Sequence, residues 1–284
     1  MRWSERLDTV GVWRGFKAID PALARTVEEL GYGTVWQGST PTSDLRAAEE
    51  LLDATESLVV ATGVVNIWMS DPAELADSYH RIHARHPGRL LLGIGSGHRE
   101  ASPQRVRPLD AMSAYLDVLD QRDVPVGDRL LSALGPRMLA MAAERSAGTH
   151  PYLSVPAQTR EQRAALGPDA LIAPELTVVL DAEPASARRV AREFLHLYLA
   201  LVNYTSTMLR AGFTEADVAD GGSDALVDAI IAHGDPKAVF AAVQAHLDAG
   251  ADHVCVQVQP ASGDIVPALR ALAAERDAAR ATSG

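Results

Sequence analysis

Along the 284-residue chain, eight short apolar runs bounded by Gly, Pro or Asp alternate with Ala-, Leu-, Glu- and Arg-rich segments of helical period. The runs are 8–13, 33–38, 58–67, 91–97, 129–135, 148–154, 171–180 and 252–259. The helical segments are 21–30, 44–56, 72–85, 109–120, 136–146, 157–166, 184–211, 236–249 and 264–280. Strands apolar on both faces and joined by long helical crossovers must be parallel, because antiparallel neighbours need only tight turns. Eight such units predict an α/β fold, a (β/α)8 TIM barrel spanning 1–284 as one domain. After the seventh strand the pattern loosens over 184–233, around "FTEADVADGGSD", which predicts a helical insertion there. An open doubly wound sheet is the competing fold. Its G-x-G-x-x-G fingerprint is missing from "VGVWRGF" after the first strand.

Local punctuation supports these boundaries. "SDPAEL" offers Asp71 as N-cap, Pro72 as first helical residue and Glu74 two positions on, and "GDPKAV" repeats the device with Asp235 and Pro236. A net charge of −11 speaks against nucleic-acid and anionic-membrane partners. Cys255 is the one cysteine and sits in an apolar run, and no run of 18 apolar residues occurs. The expectation is a soluble cytoplasmic protein acting on a small molecule.

Ligands of a barrel bind where the strands end, so those residues hold the candidate chemistry. The fourth run closes as "GIGSGHRE": Gly93, Gly95 and Gly97 leave one face bare, and His98 stands at the mouth. Bare glycines either relieve crowding inside a barrel or admit a flat ligand. His98 is either structural or a group that moves a proton near neutral pH. "SALGPRML" ends a strand on Ala133, Leu134 and Gly135 before a helix whose first N–H groups are free, either a tight turn or a phosphate seat. In "ATGVVNIW" a mid-strand Gly63 marks a bulge or close approach, with Val64, Asn66 and Trp68 on one face, in the core or at a site. His80, His83 and His86 share a helical flank and read as a solvated face rather than a metal site. With no nucleophile elbow, phosphate-binding lysine loop or zinc motif, hard chemistry would fall to a cofactor.

Five stretches in order resemble the luciferase-like flavin and deazaflavin oxidoreductases, in particular the actinobacterial F420-dependent branch. They are "LGYGTVWQG", "ATGVVNIW" with "DPAELA", "HPGRLLLGIGSGH", "ALGPRMLAMAAERSAGTHPYL" and "GDPKAVFAAVQAHLDAGADHVCVQV", nearly end to end. The resemblance implies a dimeric barrel with a ring cofactor over the strand mouths, coenzyme F420 or alternatively FMN. Trp36, Gln37 and Gly38 would lie beside the ring, and Gly63 and Val64 would form a bulge with a non-prolyl cis peptide beneath it. Ser96, Gly97 and His98 match the strand-four site, and Ala133, Leu134 and Gly135 match contacts to the phosphate tail. Asn66 and Trp68, together with Tyr198 and Asn203 on a helix over 194–209 whose Leu195, Leu199 and Val202 face the barrel, are expected around the substrate. Many relatives end strand two with an acidic residue and a histidine; Ser39 and Thr40 stand there instead. His98 is therefore the expected catalytic proton handler. The implied activity is F420-dependent hydride transfer to or from a small organic substrate, against an FMN-dependent monooxygenase or a non-catalytic flavin-binding barrel.

Overall fold

Parity along the strands decides which side chains meet inside this molecule. The computed structural model describes residues 2–39, 41–97 and 107–283. Its strands are β1 (Val10–Gly15), β2 (Thr34–Gly38), β3 (Val59–Gly63), β4 (Val65–Asn66), β5 (Leu90–Gly95), β6 (Arg129–Leu131), β7 (Gly148–Thr149), β8 (Leu171–Ile172), β9 (Glu175–Val179), β10 (Ala232–His233) and β11 (Val254–Val258). All pair in parallel, in the order β10–β9–β11–β1–β2–β3–β5–β6–β7–β8 with β4 beside β5. The α/β class and parallel sheet are as expected, but the ladder is open between β8 and β10. Two expected strands are split. Run 58–67 breaks at Val64, and run 171–180 breaks at Ala173–Pro174, where proline has no N–H to give a ladder. β8 at one end of the path thus leads through two residues into β9 near the other end.

Helices cover the sheet: α1 (Trp3–Arg6), α2 (Pro21–Glu29), α3 (Arg46–Asp53), α4 (Pro72–Arg85), α5 (Pro108–Gln121), α6 (Pro136–Arg145), α7 (Pro156–Leu166), α8 (Pro184–Leu199), α9 (Val202–Arg210), α10 (Glu215–Val218), α11 (Asp224–Ile230), α12 (Pro236–Asp248) and α13 (Val266–Ser283). The expected caps form: Asp71 accepts from the Ala73 and Glu74 amides, and Asp235 from the Ala238 amide. The helix expected over 184–211 is two helices broken at Ala200–Leu201. That break turns the second half, so Val202 is 65% exposed instead of facing the sheet, while Leu195 is buried.

Successive strand residues point to opposite faces. Val10 and Val12 of β1, Val35 of β2 and Val254 and Val256 of β11 therefore pack in one cluster with the covering helices. Trp13, Trp36, Ala61, Leu91, Leu130 and Cys255, from the alternate positions, form a second cluster inside the curl. Among the described residues no helix is long and apolar enough to cross a membrane.

Candidate functional site

At the C-terminal ends of β3 to β7 the inner face opens into a cavity of about 390 Å³. Gly63, Val64, Asn66, Ser96, Gly97, Leu134, Tyr198 and Asn203, eight of the expected residues, line it together. Its walls depend on missing side chains. A Cβ on Gly95 would stand 2.6 Å from Val64 Cγ2, and Gly97 has φ +59 with Asn66 Nδ2 at 2.5 Å from the same built atom. Gly93 does not line the cavity; a Cβ there would meet the Thr62 carbonyl oxygen at 1.9 Å, so backbone crowding explains that glycine. The Gly63–Val64 peptide is cis. Asn66 Oδ1 accepts from the Trp68 amide at 3.0 Å, and Trp68 Nε1 donates to the Ser96 carbonyl at 2.6 Å, which ties the end of β4 to the end of β5.

Histidine and tryptophan rings make the floor. His253 Nδ1 donates to the Asp8 carbonyl and its Nε2 accepts from Trp36 Nε1 at 2.9 Å, so both nitrogens of a neutral ring are used. Trp36 stacks on His150 with centroids 4.1 Å apart. His150 Nδ1 donates to the Ala173 carbonyl at 2.7 Å, which fixes the tautomer and leaves the Nε2 lone pair without a partner among the described residues. Burial lowers the His150 pKa to about 4, keeping the ring neutral. Among the described residues Trp13 Nε1 is likewise buried and unpartnered, and both atoms approach the bare side of Gly63, at 2.8 Å (Trp13) and 3.1 Å (His150) from its built Cβ. One donor and one acceptor thus meet at the cavity's edge. Beside them Tyr152 donates to Gln257 Oε1 at 2.8 Å, so Tyr198 donates to the Tyr152 oxygen at 3.0 Å. Glu175, fully buried, accepts from Thr177 Oγ1 at 2.5 Å, and desolvation raises its pKa to about 8.

Other expected residues stand apart from this lining. Trp36 is fully buried beneath it, and Gln37 is buried with neither amide atom partnered among the described residues. Gly38 is covered by the Trp13 indole, whose Cζ2 would lie 1.8 Å from a Cβ there. Ala133 packs in the helix-side cluster. Gly135 caps α6 with open space at its side-chain position, and Arg210 Nη2 donates to the neighbouring Leu134 carbonyl at 3.0 Å. His98 and Thr40 lie outside the described residues. His80 bonds the Arg122 carbonyl, His83 stacks on Tyr79 and His86 pairs with Asp53, and among the described residues no group of acids, histidines and cysteines could hold a metal. Sequence reading missed Trp13, His150 and Tyr152. The available signal was that each is aromatic and close to a strand end; the inward direction is not readable from one run.

A second cavity of about 550 Å³ adjoins the first and shares Trp13, Ser39 and Tyr198 with it. Arg14, Phe16, Lys17, Phe194 and Leu197 are among its walls.

This arrangement of mouth and floor on a parallel α/β sheet defines a barrel-like α/β fold, and solved structures share it. An F420-dependent secondary alcohol dehydrogenase in complex with an F420–acetone adduct superposes with TM-score 0.70 at 14% identity, over 93% of this chain and 96% of that one. The coenzyme F420-dependent tetrahydromethanopterin reductase from Methanopyrus kandleri gives 0.67 at 16%, over 94% and 97%. The oxygenating constituent of 3,6-diketocamphane monooxygenase from Pseudomonas putida, a type II Baeyer–Villiger monooxygenase in complex with FMN, gives 0.68 at 15%, over 93% and 95%. At such identities the likeness is one of fold. Residues 20–122 match the family model described as luciferase-like monooxygenase, in agreement with the resemblance read from the sequence. No curated protein matches the chain.

Proposed function

We propose that the chain is an F420-dependent oxidoreductase of the luciferase-like type, moving a hydride between the deazaflavin and a small organic substrate. In this reading Leu171–Val179 serves as one seventh strand of a (β/α)8 barrel, with 184–233 inserted after it. The observation that carries the proposal is the first cavity: about 390 Å³, walled by Gly63, Gly95 and Gly97, with no Asp, Glu, Lys or Arg among its described lining residues. A flat neutral ring fits such a space. A donor at Trp13 Nε1 and an acceptor at His150 Nε2, both otherwise unused, suit the polar edge of such a ring or a substrate hydroxyl.

Gly63, Val64, Ser96 and Gly97 would hold the ring, with Trp36, Gln37 and Gly38 supporting it from β2. Ala133, Leu134 and Gly135, with Arg210 beside them, would receive the phosphate tail at the start of α6. When bound, F420 supplies the carbon that gives or takes the hydride. His150 contributes a fixed, neutral acceptor, and Trp13 and Tyr198 stand between this cavity and its neighbour. Asn66, Trp68, Tyr198 and Asn203 would orient the substrate, and His98 would exchange the proton that balances hydride transfer. A homodimer in the cytoplasm is the expected form, which light scattering on the purified protein checks.

An FMN-dependent monooxygenase is the second reading, favoured by the FMN-bound fold neighbour. Titrating the purified protein with F420, FMN and FMNH2 tests both. Tight F420 binding with indifference to FMN supports the proposal, the reverse order supports the monooxygenase, and no binding to any supports a non-catalytic barrel.

A further inference from the structure

We propose that the substrate is an organic anion whose charged head is held in the second cavity by Arg14 and Lys17, with its reacting end reaching past Trp13 and Tyr198 to the first cavity. The proposal rests on the reading of the first cavity as the cofactor site, which leaves its neighbour across Trp13, Ser39 and Tyr198 for the reacting partner.

Arg14 projects from the end of β1 into the cavity wall. Its Nε and Nη2 reach the Ala18 and Gly263 carbonyls at 3.4 Å each, and Nη1 is buried with no partner among the described residues. No carboxylate among the described residues pairs with Arg14 or Lys17. The acid in the same wall, Glu193, is already paired with Arg189 at 2.9 Å. The chain as a whole carries 37 acidic against 26 basic residues, yet Arg14 has two long carbonyl contacts and no carboxylate among the described residues, an arrangement that leaves its charge poorly compensated. Desolvation by partial burial lowers the Arg14 pKa from its ordinary value. An anion in the cavity compensates that charge with charge-assisted hydrogen bonds. Phe16, Phe194 and Leu197 complete the same space, and Leu197 is 71% exposed, which fits an apolar body attached to the head. The other cavities differ: the first has no cation among its described lining residues, and a third, near Pro260, has Asp235 and Asp264.

Calorimetric titration of the purified protein with hexanoate, 1-hexanol and hexylamine tests the assignment without turnover. Hexanoate is expected to bind about tenfold or more tighter than hexanol, the size of a hydrogen bond to a charged group, with hexylamine weakest. Arg14→Met removes the preference, Arg14→Lys keeps part of it, and Lys17→Ala weakens it less. Equal binding of hexanoate and hexanol, or a preference that survives in Arg14→Met, overturns the proposal. If Arg14→Met does not fold, an unchanged preference in both Arg14→Lys and Lys17→Ala overturns it instead. F420 titration of the same proteins separates the two claims: an anion preference without F420 or FMN binding leaves the anion site standing and removes the oxidoreductase reading, and F420 binding without an anion preference does the opposite.

Discussion

The two adjoining cavities are built by opposite means. The first is shaped by atoms that are absent, at Gly63, Gly95 and Gly97, on or next to hydrogen-bonded strands, and its floor rings are locked by Trp36, His253 and the Ala173 carbonyl. The second is shaped by long side chains, Arg14, Lys17, Phe194 and Leu197, on strand ends and helix flanks. A rigid uncharged slot selects a flat shape, whereas mobile charged and apolar arms select a charge and tolerate variation in the body. Cofactor and substrate make those two different demands, and experiments that strike one cavity while sparing the other test the division.

The largest effect is expected at His98. His98→Ala should slow single-turnover hydride transfer by about 10²–10⁴-fold, the range for losing a general acid or base, while leaving F420 affinity intact. His150→Phe should instead weaken ring binding, since the Nε2 lone pair and not a titrating proton is what His150 offers. Unchanged transfer in His98→Ala with a slowed His150→Phe would move the proton role to the floor of the first cavity.

The same floor sets an acid limit that the second cavity lacks. His150 and His253 in the floor, and His246, buried against Thr159 between α7 and α12, have pKa values lowered by burial from 6.5 to about 4. Between those values the unfolded chain binds more protons than the folded one, so the stability they contribute is complete above about pH 6.5 and is lost as pH falls toward 4. Each adds up to about 1.4 kcal/mol per pH unit to the slope. Glu175 acts with the opposite sign: raised from 4.5 to about 8, it holds its proton in the folded state and costs stability as pH rises from 4.5 to 8. Thermal melts across pH should therefore peak between these limbs, and Glu175→Gln should flatten the alkaline limb alone. Hexanoate binding, carried by groups that stay charged, should be level from pH 6 to 8. A melt profile that does not fall below pH 6 would mean that these histidines are not buried neutral.

Gly95→Val should lower F420 affinity by about tenfold to a hundredfold, because the new Cβ sits 2.6 Å from Val64 Cγ2 and overpacking costs about 1–3 kcal/mol. The hexanoate preference should persist in this variant. Loss of both would show that the two spaces respond as one.

Much of the frame was legible because it is local. Asp71 and Asp235 announce their helices through side chains that cap amides two or three residues away. Gly63, Val64 and Gly97 are singled out by glycine spacing, strand ends and the family resemblance, and they line the first cavity. Trp13 and His150 could not be placed there, since their inward direction follows from the register between β1 and β2 and between β7 and β8, which no single run encodes. Pro174 in "LIAPEL" did carry a readable signal, a missing ladder donor that splits the seventh run. Val202 shows the limit of periodicity: an apolar rhythm read through 194–209 fails where the chain turns at Ala200–Leu201.

The smallest effect expected is also the cleanest. Gly135 caps α6 at φ −119 and ψ 157, an extended conformation open to any residue, and a Cβ added there meets nothing within 4 Å. Gly135→Asp therefore introduces charge with little strain, and an acid at an N-cap is favourable for the helix itself. Its carboxylate would compete for the free N–H groups of α6 and repel a phosphate near the Leu134 carbonyl that Arg210 grips. F420 affinity should fall about tenfold, the scale of one charge-assisted contact. FO, the deazaflavin fragment without phosphate, should bind as before, and so should hexanoate in the second cavity. Because the melting temperature should hold or rise, a weaker F420 complex in this variant cannot be charged to unfolding. Equal losses for F420 and FO would remove the phosphate from α6 while leaving the ring assignment in the first cavity open to the Gly95 experiment.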